Sequence, residues 1–133
     1  MTLKPLKMIK ILTVTGSRSE YDILYPLLKK LENDKMFELT IMLCGSHLSK
    51  NFGKTIDYVK ADKFKNILKL KSIFKKQNDN IQIFNSYSLV SKKISKILTK
   101  KKIDILLILG DRFEAHAASI AAFFLKKKII HIG

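Results

Sequence analysis

Two apolar runs of strand length, Ile9–Thr15 and Ile103–Leu109, each pass directly into the same five-residue pattern, Gly-x-Arg-x-Glu. The first is Gly16-Ser17-Arg18-Ser19-Glu20 and the second is Gly110-Asp111-Arg112-Phe113-Glu114. Apolar runs of this length alternate along the chain with stretches of helical period, the signature of βαβ units on a parallel sheet. The two patterns also hold both arginines of a chain with 26 basic residues, and every other cation is lysine. A composition that keeps arginine at two strand-end loops points to a need for a planar, forked, permanently charged donor, as in carboxylate or phosphate recognition. The plainer alternative is that each arginine pairs with a neighbouring acid.

The pattern predicts five strands: Met8–Thr15, Phe37–Cys44, a weaker one over about Lys65–Leu70, Ile103–Leu109 and Ile129–Ile132. The fourth is almost entirely Ile and Leu after Asp104, as expected of a central strand covered on both faces. Between them, Tyr21–Leu31 puts Ile23, Leu24, Leu27, Leu28 and Leu31 on one helical face, which predicts that this face meets the sheet, with Pro26 bending the helix. Further helices are expected over Thr55–Ala61, over Ile81–Lys101 (carrying Ile83, Phe84, Tyr87, Val90, Ile94, Ile97 and Leu98), and over Phe113–Leu125, whose alanines allow close approach to the sheet. The segment Ser72–Asn80 lacks periodicity and reads as a mobile loop. The fold class is α/β, a Rossmann-like doubly wound parallel sheet of about five strands. In its usual order, 3-2-1-4-5, strands 1 and 4 are neighbours, so Arg18 and Arg112 flank one crevice beyond the carboxyl ends of the strands.

A chain of 133 residues makes one domain with a sizeable core. Its formal charge of +15 raises the question of nucleic acid. The lysines, however, are scattered over helix faces and turns without the arginines or interleaved aromatics of base readers, so a solvated surface that favours anionic small molecules is expected instead. No apolar run approaches the ~20 residues that span a bilayer, and the basic start lacks a small-residue cleavage site; no membrane partner is expected, and the location expected is the cytoplasm. Cys44 is the single cysteine, which excludes a disulfide framework and predicts a small buried hydrophobe at a strand end. There is no Gly-x-Gly-x-x-Gly, no Gly-x4-Gly-Lys-Ser/Thr and no Gly-x-Ser-x-Gly, so dinucleotide, P-loop and hydrolase-elbow chemistry are disfavoured.

In the first loop, Ser17 or Ser19 can cap the following helix, with Glu20 or Asp22 completing a capping box. That leaves Arg18 unexplained, because a helix N-terminus prefers anions; binding of a substrate phosphate or carboxylate would account for it. In the second loop, Asp111 can cap the alanine-rich helix with Glu114 at the third position, or serve as a rigidly held general acid or base. His47, His116 and His131 all map near one edge of the sheet. No two have the i, i+4 spacing of a helical metal site, so no metal is expected; His47 is read as bonding a ligand hydroxyl or packing, and His116 as packing against the sheet.

Four segments taken in order, Val14–Asp22, Gly45-Ser46-His47-Leu48-Ser49, Leu109–Glu114 and Ile130-His131-Ile132-Gly133, resemble the N-terminal part of the hydrolysing UDP-N-acetylglucosamine 2-epimerases of sialic-acid-type sugar biosynthesis. The resemblance covers the whole chain. It implies half of a GT-B architecture, two Rossmann-like domains with the active site between them, and needs no cofactor. Its chemistry eliminates UDP across C1 and C2 of UDP-N-acetylglucosamine, or of a bacillosamine analogue, and hydrates the resulting glycal. By this resemblance Asp111 is the catalytic aspartate and Arg18 contacts the substrate. His47 belongs to the sugar-side loop, while Arg112 and Glu114 are substrate-binding neighbours. The family continues past the position of Gly133 into a second domain, so the domain 1–133 is expected to be truncated at its C-terminal end. Alone it should be inactive, and its exposed last strand should favour association, homo-oligomers included. Competing readings are the acceptor domain of another GT-B nucleotide-sugar enzyme and a non-enzymatic anion- or partner-binding module.

Overall fold

Five strands form one all-parallel sheet in the order β3-β2-β1-β4-β5: β1 (Ile9–Thr15), β2 (Phe37–Leu43), β3 (Ile67–Lys69), β4 (Ile105–Leu109) and β5 (Lys128–Ile132). This computed structural model describes residues 7–48, 55–71 and 79–133. The helices are α1 (Arg18–Asn33), α2 (Thr55–Lys60), α3 (Asn80–Lys100) and α4 (Phe113–Phe124). The strand order is the one expected, and the direction of winding reverses between β1 and β4.

Alternation along β1 divides the core into two layers. Leu12 and Val14 join Met42, Leu106 and Ile108 beneath α3 and α4, packed by Val90, Ile94, Leu98 and the alanines of α4. Ile11 joins Leu39, Ile41, Leu43 and Leu107 beneath α1 and α2, packed by Tyr21, Leu24, Leu28 and Val59. The sheet is therefore wound on both faces, and Ala117, Ala118 and Ala122 are fully buried, as close approach of α4 requires.

Several boundaries differ from expectation for identifiable reasons. Only Ile67–Lys69 of the expected third strand pairs with β2. Helix α1 begins at Arg18 because Ser17 is its N-cap, accepting from the Glu20 N–H, while the Glu20 carboxylate reaches back to the Gly16 N–H at 2.8 Å. The helix continues through Pro26. Its buried row is Tyr21, Leu24 and Leu28; Ile23 is 65% exposed and Leu27 37%, so the expected sheet-facing stripe is rotated away from them. Tyr21 causes the rotation by occupying the centre of the buried arc, with its hydroxyl bonded to Asp62. On α3 the buried row is Ser86, Val90, Ile94 and Leu98, and Phe84 is exposed. Residues 72–78 of the expected loop lie outside the described residues; Asp79 caps α3, accepting from the N–H groups of Ile81 and Gln82.

Three helix ends close on a lysine in the left-handed region: Lys63 (φ 58°) after α2, Lys102 (φ 52°) after α3 and Lys126 (φ 56°) after α4. After α3 and α4 the chain then folds back, Ile103 N–H to Leu98 O at 3.0 Å and Lys127 N–H to Ala122 O at 2.9 Å, the bonds of a Schellman ending.

Candidate active site

The carboxyl ends of β1, β2 and β4 meet around one guanidinium. Glu114, in the first turn of α4, is buried, and its carboxylate takes a fork from Arg112: Nε to Oε2 and Nη2 to Oε1, both at 3.3 Å. Arg112 Nε also lies 3.7 Å from Oε1 of Glu20, which comes from the β1 loop. Burial raises the pKa of Glu20, against the lowering effects of the Gly16 N–H and Arg112. Burial opposes the charge on Arg112, but the bonds and charge of Glu114, with Glu20, outweigh it and raise its pKa. Both arginines thus have acid partners, and Arg112 is committed to the protein at two carboxylates.

Two glycines make room for the cluster. A Cβ on Gly16 would lie 2.9 Å from Arg112 Nε. One on Gly45 would lie 2.6 Å from Glu114 Oε1 and 2.8 Å from the Gly16 carbonyl, at a φ of +59° that side chains rarely adopt. The end of β2 is tied in by the Cys44 N–H to Thr15 O at 3.0 Å. Cys44 is buried as expected, and burial pushes its thiol pKa far up.

His47 lies in a 3-10 turn, Gly45–Leu48, and is 1% exposed. Its Nε2 is 3.1 Å from the Thr15 hydroxyl and its Nδ1 3.1 Å from that of Thr55, with the ring edge-on to Tyr21. The Thr15 hydroxyl proton is spent on the Ser17 carbonyl. Nε2 therefore carries the ring proton and Nδ1 accepts from Thr55. Burial first, and then the charge of Arg112, lowers the imidazole pKa to about 4, so the ring is neutral at pH 7. Both nitrogens are thus occupied by threonines, and His47 braces the β1 and β2 loops.

Arg18 and Asp111 face solvent at the ends of adjacent strands. Arg18 pairs with Asp22 (Nε to Oδ2, 3.6 Å) and lies over the Tyr58 ring at 4.2 Å, with its side chain 58% exposed. Asp111 is exposed and makes no hydrogen bond or ion pair with the described residues. It does not cap α4 as expected. The left-handed turn at Gly110 (φ 76°) makes Arg112 the residue before the helix, without a side-chain cap bond, and leaves Asp111 one position too early. His131 Nε2 is 2.8 Å from the Gly110 carbonyl. His116 does not pack on the sheet; it is exposed, with Nδ1 2.8 Å from the hydroxyl of Tyr87 on α3. Sequence reasoning missed Tyr58 and Thr55, which sit at no motif, the role of Thr15, which lies within one, and the reach of Glu20 to Arg112, which depends on β1 and β4 being side by side.

The arrangement offers an exposed guanidinium for an anion and an exposed carboxylate for proton transfer, on a frame tied by Arg112, Glu20 and the buried Glu114. Residues 29–133 match the family model described as UDP-N-acetylglucosamine 2-epimerase. The chain belongs to that family. It is 34% identical over 125 residues to the polysialic acid biosynthesis protein P7 of Escherichia coli, covering 94% of this chain and 32% of that one. It is 30% identical over 126 residues to the hydrolysing UDP-N,N'-diacetylbacillosamine 2-epimerase of Legionella pneumophila, covering 92% and 32%. The crystal structure of UDP-GlcNAc 2-epimerase from Neisseria meningitidis bound to UDP-GlcNAc superposes with a TM-score of 0.74 at 26% identity, over 93% of this chain and 31% of that one. The chain therefore spans about a third of the length of the epimerase relatives it matches. Among the described residues no helix is long and apolar enough to cross a membrane.

Two outcomes follow from the packing of this site. Gly45→Ala should lower the stability measured by urea unfolding by more than about 2 kcal/mol, whereas Gly110→Ala should cost only about 1 kcal/mol of backbone strain. The contrast arises because a Cβ on Gly110 meets nothing within 4 Å. The second outcome concerns pH. The folded His47 value of about 4 lies below the ordinary 6.5, so the unfolded chain takes up the proton first as pH falls. Stability from this residue is complete above pH 6.5 and should be lost towards pH 4, on the order of 2 kcal/mol. Glu20, with its raised value, acts with the opposite sign above pH 4.5. The difference between the urea-unfolding pH profiles of the wild type and His47→Gln isolates the histidine; parallel profiles would refute the assignment.

Proposed function

We propose that this chain forms the N-terminal, sugar-side domain of a hydrolysing UDP-N-acetylglucosamine 2-epimerase of the cytoplasm. Its substrate is UDP-N-acetylglucosamine or UDP-N,N'-diacetylbacillosamine, and it is completed by a second domain. The observation that carries this reading is the adjacency of β1 and β4, with both Gly-x-Arg-x-Glu loops at one edge of the sheet. Family membership and the 34% identity to a polysialic acid biosynthesis protein support it.

In this reaction a base takes the C2 proton while the C1–O bond breaks and its electron pair leaves with UDP, giving a glycal. Water then adds its oxygen to C1 and a proton returns to C2 on the opposite face, releasing the free 2-epimer. Arg18, exposed and oriented by Asp22 and Tyr58, offsets the charge that develops on the departing diphosphate. Asp111 transfers a proton on one face of the sugar. Arg112, forked to Glu114 within the β4 loop and paired with Glu20 of the β1 loop, ties these two loops together, and His47 fixes the third loop beside them. Inversion at C2 requires a proton to leave one face and arrive at the other. One carboxylate cannot serve both; this reading assigns the second proton transfer to an acid outside residues 1–133, and on it the chain alone should not turn over.

The test is UDP release with UDP-N,N'-diacetylbacillosamine. The isolated chain should release none above background, and the chain joined to the remaining two-thirds of the Legionella relative should release UDP and free 2-epimer. In that chimera Arg18→Ala and Asp111→Asn should each lower kcat/KM by at least about 100-fold. Full activity of the Asp111→Asn chimera would sink the assignment.

A further inference from the structure

The two edges of the sheet carry different cations. Both arginines lie at the carboxyl edge, each with an acid partner, whereas lysine runs occupy the turns that lead into β4 and β5 at the amino edge. Lys100, Lys101 and Lys102 are exposed where α3 ends, and Lys126 and Lys128 where α4 ends. Backbone bonds join the turns of this edge in series: Lys128 N–H to Asp104 O at 3.3 Å, Asp104 N–H to Lys10 O at 2.8 Å, and Ile9 N–H to Met36 O at 2.9 Å. Among the described residues none of these lysines is paired with a carboxylate. The Asp34 and Asp104 carboxylates of the same turns are tied to backbone, accepting from the N–H groups of Met36 at 2.8 Å and Lys10 at 2.9 Å.

Large apolar side chains stand among these cations. Phe123 is 69% exposed and Phe124 75%, and the two rings pack edge-to-face, centroids 5.6 Å apart, in the last turn of α4. Leu125 is exposed at the helix end, and Met8 and Met36 are exposed in the turns before β1 and β2. In the order β2-β1-β4-β5 the edge from Met36 to Lys128 runs three strand spacings, about 14 Å. The apolar groups thus come from separate turns along a row. A partner helix needs a groove, but such a row meets a broad surface that can deform around each point.

Unpaired lysines around exposed phenylalanines suit an anionic bilayer: the ammonium groups meet lipid phosphates while the rings enter the boundary between headgroups and acyl chains. Arginine, the donor that reads guanine, is absent from this edge, which disfavours nucleic acid. We propose that the amino edge of the sheet docks on an anionic lipid bilayer, through Phe123 and Phe124 together with the lysines at 100–102 and 126–128. The contact is peripheral. The expectation of no membrane partner rests on the length of apolar runs, which bears on spanning and not on surface contact. The candidate site lies at the opposite edge, so docking leaves it facing away from the lipid. The proposal does not rest on the catalytic reading, and vesicle binding and turnover can fail independently.

The chain contains no tryptophan, so Phe124→Trp installs a single fluorescent reporter. With the full chain and vesicles of about 30% phosphatidylglycerol in phosphatidylcholine, its emission should shift to the blue. Cosedimentation of the wild type should be at least about tenfold stronger with these vesicles than with phosphatidylcholine alone, and about 0.5 M salt should reverse most of it. The double variant Phe123→Ser with Phe124→Ser, and separately Lys100→Gln with Lys128→Gln, should each weaken cosedimentation about tenfold. Phe84→Trp, near the other end of α3, should bind equally well without a shift. Four results would each overturn the proposal: no preference for the anionic vesicles, binding without a blue shift of the Phe124→Trp reporter, both double variants binding as the wild type does, or tighter binding to polyglutamate or duplex DNA than to the vesicles. The last would make the partner an acidic macromolecule.

Discussion

Arg112 lies between the carboxylates of Glu114 and Glu20 with two glycine backbones pressed against them, and the carboxyl edge of the sheet is assembled around that contact. It links the end of β4 to the start of α1, and through Gly45 it fixes the approach of the β2 loop. Glu114 is buried but the Arg112 side chain is 42% exposed, so solvent screening keeps the cost of removing one member below the about 3–5 kcal/mol typical of a fully buried pair. The cluster therefore does two things at once. It fixes the separation of the β1 and β4 loops, and it satisfies its own charges beside Arg18, paired with Asp22, and Asp111, which is exposed.

Much of this was legible in the amino-acid order, and the exceptions have physical causes. The Ile and Leu of β4 and the mixed run of β1 identified central strands, and the usual doubly wound order, adopted as an expectation, is the one the sheet has, with β1 beside β4. Position on a helix was less legible. Counting only aliphatic residues put Ile23 and Leu27 against the sheet, because the pattern gave no weight to a tyrosine that can bury its ring while its hydroxyl finds Asp62. The cap of α4 was misjudged for a backbone reason, since a left-handed glycine shifts the helix start by one residue.

The candidate site divides in the same way. Both arginines were conspicuous in a lysine-rich chain, and glycine, aspartate and glutamate beside them marked the loops. What the sequence could not separate was arginine as ligand donor from arginine as internal partner, because Glu20 and Arg112 are far apart in the chain and meet only through parallel pairing. His47 is a similar case. Its neutral state follows from burial, and its ring is held by Thr15 and Thr55, the second of which lies in none of the segments that stand out in the sequence. Similarity over nearly the whole chain resolved the family, while the division of labour within the loops needed coordinates.

The three lysines that close helices α2, α3 and α4 occupy backbone positions where glycine is the unstrained choice. Each carries a penalty on the order of 1 kcal/mol that glycine would not. The preference for lysine that gives the molecule its charge has thus spread into its helix stops, and thermal robustness has been surrendered there. Room for stabilising this scaffold therefore exists at its helix exits, where an exchange would leave the carboxyl rim of the sheet untouched.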